Sequence, residues 1–145
     1  MQLTITNKDL ATFYSALQKM EIRPMRPNRG RIKLLARLEE KFREYVKDEF
    51  ELIKDYVEFD KHGQPIVTED NSYTVKDESQ TEELSKLLAE LADDEVMIKG
   101  GEYSKRYIDF LEYLSEAEGD FTIEELRVID DVLEQYEVSK EQKEG

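Results

Sequence analysis

The feature that most constrains this chain is a single apolar stripe running through its second quarter. Ile32, Leu35, Leu38, Phe42, Tyr45, Leu52, Tyr56 and Phe59 recur at three–four spacing, Val46, Ile53 and Val57 widen the stripe, and Glu49 interrupts it. That spacing predicts one amphipathic helix over about 29–59. At about 1.5 Å of rise per residue it would be about 45 Å long. A helix well over twice the usual length is not stable alone and needs partner helices along much of its span. Gly63 and Pro65 in the segment Asp60–Pro65 stop it.

The remaining elements must supply those partners. Residues 2–6 alternate, with Leu3 and Ile5 opposite Gln2, Thr4 and Thr6, which reads as a half-buried strand. Thr6 or Asn7 can cap a helix over about 8–20, carrying Leu10, Phe13, Ala16, Leu17 and Met20 and ended by Pro24 and Pro27. Residues 23–30 then read as a loop. Residues 64–76 alternate around Ile66, Tyr73 and Val75 and read as a hairpin or ordered loop. A helix over about 78–92 has Leu84, Leu87, Leu88 and Leu91 on one face, and Glu95–Lys99 reads as another strand. Helices follow at about 103–117 (Tyr103, Tyr107, Phe110, Leu111, Leu114) and 123–137 (Leu126, Ile129, Leu133, Tyr136). Thr122 with Glu125 fits a capping box for the last one. No internal repeat is visible. The expected architecture is α+β, predominantly α: a long central helix packed by shorter ones, with a small sheet from residues 2–6, 64–76 and 95–99. Residues 1–138 form the expected single domain, and 139–145 a polar, disordered tail.

Composition then removes whole classes of function. With 35 acidic and 21 basic residues the chain carries a formal net charge of −14. That argues against direct, general nucleic-acid binding, which needs cations for phosphates, and against anionic membrane surfaces. No window reaches the roughly 20 apolar residues of a membrane span. The N-terminus lacks the basic start and apolar core of a secretory signal. The absence of Cys excludes disulfides, Cys-ligated zinc, iron–sulfur clusters and thiol catalysis. Fourteen aromatic residues argue against disorder.

The charge is segregated. Residues 19–37 sum to +6, residues 77–145 to −15. Arg23, Arg26, Arg29 and Arg31 therefore form a candidate contact for an anion or partner, or else pair with the acidic half of the fold. Cations at a helix N-terminus are mildly unfavourable, which points to some partner for them. In the acidic part, Glu102, Asp109, Glu112, Tyr113 and Glu116 are the candidate partner-binding face. The alternatives there are a solvated helix face and a surface that imitates a phosphate backbone.

Motifs of catalysis and metal binding fail on inspection. His62, the one imidazole, sits in a Gly–Pro turn, with no nucleophile that the sequence places beside it. Aligning Gly119 on the invariant glycine of a calcium loop puts Glu125 on the bidentate position but Leu114 on the first ligand. Gly100-Gly101 lacks both the dinucleotide and the Walker spacing. No enzymatic activity, metal or cofactor is expected.

The order of features from Leu3-Thr4-Ile5-Thr6-Asn7-Lys8-Asp9-Leu10, through Tyr56-Val57-Glu58-Phe59-Asp60-Lys61-His62-Gly63-Gln64-Pro65-Ile66, to Val96-Met97-Ile98-Lys99-Gly100-Gly101-Glu102-Tyr103-Ser104 resembles the small proteins of phages and prophages of streptococci, lactococci and their relatives grouped as domain of unknown function family 1617. The resemblance covers about residues 1–136. It implies a phage-encoded protein acting in the cytoplasm of a Gram-positive host, and it transfers no catalytic residues. The expected function is non-enzymatic protein binding: inhibition of a host nuclease or defence complex through an acidic, nucleic-acid-mimicking surface, with a host or phage protein, such as a basic nucleic-acid-binding protein, as partner. The alternative is an accessory structural or assembly protein of the virion, in tail or baseplate. In that case the long helix would form homo-oligomers and Glu49 would set register.

Overall fold

The computed structural model describes residues 1–144. Strand β1 (Gln2–Thr6) runs straight into helix α1 (Asn7–Gln18), with Thr6 extended at the N-cap and its hydroxyl donating to Asp9 Oδ2 at 3.0 Å. Helix α2 spans Met25–Ile53, α3 Thr81–Asp93, α4 Ser104–Leu114 and α5 Ile123–Glu144; strand β2 is Glu95–Lys99. The expected α+β, predominantly helical class is the observed one. The chain forms two compact units, residues 1–42 with 95–145 and residues 43–94.

In the first unit β1 and β2 pair antiparallel, Leu3 opposite Ile98 and Ile5 opposite Val96. Leu3, Ile5 and Ile98 are buried together with Leu10, Phe13 and Leu17 of α1, Tyr107, Phe110 and Leu111 of α4, and Val128, Ile129 and Val132 of α5. Each such side chain contributes roughly 1.5–3 kcal/mol by leaving water. The other edge of β1 is closed by a side chain: Gln135 Nε2 donates to Thr4 O and Gln135 Oε1 accepts from Thr4 N–H, both at 2.8 Å.

Helix α2 departs from expectation at both ends. It begins at Met25 rather than 29, because Pro27 sits in the first turn, where a missing N–H costs nothing. It stops at Ile53 rather than 59, because Val57 and Phe59 are taken into β-bridges with Val75 and Pro65. Its core-facing side also differs. Leu34 and Leu38 are fully buried, whereas Ile32 and Phe42 are exposed. The buried flank is set by Gly30: a Cβ there would lie 2.0 Å from the Arg106 carbonyl oxygen and 2.8 Å from Phe110 Cβ, so α2 and α4 touch backbone to backbone.

Residues 64–76 do not join the β1–β2 sheet, which has two strands. They fold within the second unit against residues 56–60. Glu58 N–H donates to Thr74 O, Ile66 N–H to Glu58 O and Thr74 N–H to Ile66 O, at 2.8–2.9 Å. Every segment thus pairs with the other two, and the three central residues use all their backbone groups. The same relation repeats outward, from Asp60 N–H to Gln64 O, Thr68 N–H to Ser72 O and Lys76 N–H to Tyr56 O. The result is a closed triangle with an eight-residue period that the side chains do not advertise. Two corners turn through left-handed residues eight apart, Gly63 (φ 78°) and Asn71 (φ 64°). Beneath it, Ile53, Val57 and Leu84 form a buried cluster flanked by Tyr56, Phe59, Tyr73 and Leu88.

Helix α5 continues to Glu144, so residues 139–144, expected as a disordered tail, are helical. Gly145 lies outside the described residues.

Candidate functional site

The N-terminus of α5 is built as the sequence predicts. Thr122 N–H donates to Glu125 Oε1 at 2.8 Å and Glu125 N–H to Thr122 Oγ1 at 3.1 Å. Lys19 Nζ reaches the same Glu125 oxygen at 2.5 Å. Burial would raise the buried Glu125 carboxyl, but Lys19 and the Thr122 groups outweigh it and hold the pKa below the usual value. This cluster joins the end of α1 to α5.

The basic candidates divide. Arg31 is committed to the fold: its guanidinium donates to Leu17 O at 3.2 Å, to Met20 O, and to Asn28 Oδ1 at 2.7 Å, satisfying carbonyls at the end of α1. Arg23, Arg26 and Arg29 are exposed, and none has a carboxylate partner among the described residues. Lys33, one turn further, stacks its ammonium 4.6 Å over the Tyr103 ring. Arg37 pairs with Glu40 at 3.2 Å.

The acidic candidates are spread along α4 and its flanks. Glu102 is exposed in the 3-10 turn before α4, and Glu116 is exposed just beyond its end. Asp109 and Tyr113 are half-buried, and one Asp109 oxygen is buried without a hydrogen-bond partner. Glu112 is exposed and accepts from Tyr136 Oη at 3.3 Å, which sets it against α5.

Sequence reasoning missed a longer array. Asp130, Glu134, Glu137 and Glu141 follow a four–three–four spacing on α5; all are exposed and none is ion-paired among the described residues. The signal was legible in the spacing, but the helix was expected to end near 137. These carboxylates place about one negative charge per 5 Å of helix axis, against about one per 3.4 Å along a nucleic-acid strand.

His62 is an exposed turn residue whose N–H donates to Asp60 Oδ1 at 2.8 Å. Among the described residues no group of three or more His, Asp or Glu could hold a metal ion. Among the same residues no helix is long and apolar enough to cross a membrane.

These features define a small, helix-dominated α+β protein whose notable surfaces are arrays of charge. The family model described as "Protein of unknown function (DUF1617)" matches residues 1–143, and the chain belongs to that family. No curated protein and no solved structure matches it.

Proposed function

We propose that this is a phage-encoded, non-enzymatic protein that acts in the host cytoplasm by binding another protein. Its partner is a basic, nucleic-acid-handling protein of a host nuclease or defence complex, which it inhibits by occupying the basic groove. The observation that carries this reading is the row Asp130, Glu134, Glu137 and Glu141 on the solvent face of α5. A linear array of carboxylates on one helix face presents charge to a groove shaped for phosphates, and opposite charge steers the encounter.

The test is affinity capture from host lysate with the full chain and with a variant carrying Asp130→Asn, Glu134→Gln, Glu137→Gln and Glu141→Gln. The native chain should recover a basic nucleic-acid-binding protein that high salt releases, and the variant should not. Recovery of no such protein, or equal recovery by both, defeats the reading.

A second reading, an assembly protein of the virion that self-associates through α2, is favoured by the exposed apolar side chains Ile32, Phe42, Val46 and Phe50 on that helix. A strict monomer in sedimentation would exclude it.

A further inference from the structure

We propose that the solvent-facing seam of α2 over residues 25–42 is a docking surface for an amphipathic helix with acidic flanks, supplied by another protein. The seam is separate from the buried flank carrying Leu34 and Leu38. Met25 and Ile32 stand seven residues apart and are 71% and 57% exposed; Leu35 and Phe42 stand seven apart, and Phe42 is 39% exposed. Seven-residue spacing in two interleaved rows is the pattern by which one helix receives another. The seam spans about 25 Å, or close to five turns. Asn28 and Glu39 end the two rows, so the apolar part is a patch of Met25, Ile32, Phe42 and the half-buried Leu35. Exposed apolar side chains grouped on one helix face mark a contact surface.

Charge identifies the occupant. Arg26, Arg29, Lys33 and Arg37 follow along one side of the seam at three–four spacing, and α2 has no acidic residue before Glu39. Among the described residues Arg26 and Arg29 have no carboxylate partner, although the chain carries 14 surplus negative charges. A second copy of α2 laid over residues 25–37 in either direction would set cations against cations. A partner helix with Leu-like residues in its seam and Glu or Asp beside them covers both the apolar row and the arginines. Arg is suited to this because its planar guanidinium pairs carboxylates in two-point contacts.

The experiment uses the full chain and two labelled synthetic helices about 18 residues long, matched to the seam. Both carry Leu at the seam positions; one is flanked by Glu and its twin by Lys. Fluorescence anisotropy should show the Glu helix binding at least about tenfold more tightly than the Lys twin. The net charge of −14 alone favours the opposite order. Arg26→Glu with Arg29→Glu, and separately Ile32→Gln, should each weaken binding of the Glu helix about tenfold. All three positions are exposed, so circular dichroism should be unchanged. Replacing the α5 carboxylates should leave this binding intact, which separates it from the acidic-surface reading. Equal or tighter binding of the Lys twin, no binding of either helix, or variants that bind like the native chain would overturn the proposal. So would a dimer of the chain alone that Ile32→Gln dissociates, since the occupant would then be a second copy.

Discussion

Gln135 on α5 holds Thr4 on β1 as a neighbouring strand would, its primary amide giving one hydrogen bond to the Thr4 carbonyl and taking one from the Thr4 N–H, each 2.8 Å long. An unpaired strand edge invites pairing with another chain, and here one side chain closes it at its centre. Gln135→Met, similar in shape but without the amide, should cost about 1–3 kcal/mol because two backbone groups lose their partners. Thermal denaturation reads the loss. Amide exchange at Thr4 should accelerate with it, and a protected Thr4 amide in the variant would show that the contact is dispensable.

Gly30→Ala tests the α2–α4 crossing by the sign of its effect. On an open helix surface the change stabilises by roughly 0.5–1 kcal/mol. Here the added methyl would meet the Arg106 carbonyl oxygen at 2.0 Å. Overpacking against backbone costs about 1–3 kcal/mol, so the melting temperature should fall. A rise would mean that α4 is not held against α2 at this point.

Glu125 links a helix cap to an ion pair, and two substitutions separate them. Glu125→Gln keeps the capping box but removes the charge facing Lys19, and should cost about 1 kcal/mol. Glu125→Ala removes both and should cost about 2 kcal/mol. Because the folded-state pKa lies below the usual 4.5, this stabilisation is complete above that value and is lost as pH falls through the folded pKa. Acid titration of stability should therefore flatten in both variants relative to the native chain.

Tyr73 provides the alkaline counterpart in the second unit. Burial, together with the hydrogen bond it donates to Glu49 Oε1 at 2.5 Å, pushes its phenol up to about 12. A raised pKa favours the protonated form in the fold, so its contribution is present below the ordinary value near 10 and disappears as pH rises through about 12. Tyr73→Phe should cost about 1 kcal/mol at neutral pH and remove the highest-titrating component from the tyrosine absorbance curve. A curve identical to that of the native chain would rule out the Glu49 contact. The same bond explains why a glutamate interrupts the apolar stripe of α2: it serves Tyr73.

Several local features were legible because they depend on near neighbours alone. The alternation of Leu3 and Ile5 marks a strand, Thr122 and Glu125 mark a helix start, and the three–four spacing after Ile32 marks a long amphipathic helix. The fate of 56–76 was not legible, because backbone hydrogen bonds between Glu58, Ile66 and Thr74 hold that triangle and require no matching side chains. The division of the arginines was equally hidden: Arg31 differs from Arg29 only in facing the carbonyls of Leu17 and Met20.

By itself the sequence determined that this chain forms amphipathic helices with little strand, and that its charge is polarised between a basic segment and an acidic C-terminal half. Those properties are sums over local residues, so they survive any arrangement of the elements. Only the tertiary structure decided which flank of α2 is buried. The apolar residues of that helix cover more than one face, and the close backbone contact at Gly30 selects Leu34 and Leu38 for the core while Met25 and Ile32 remain exposed.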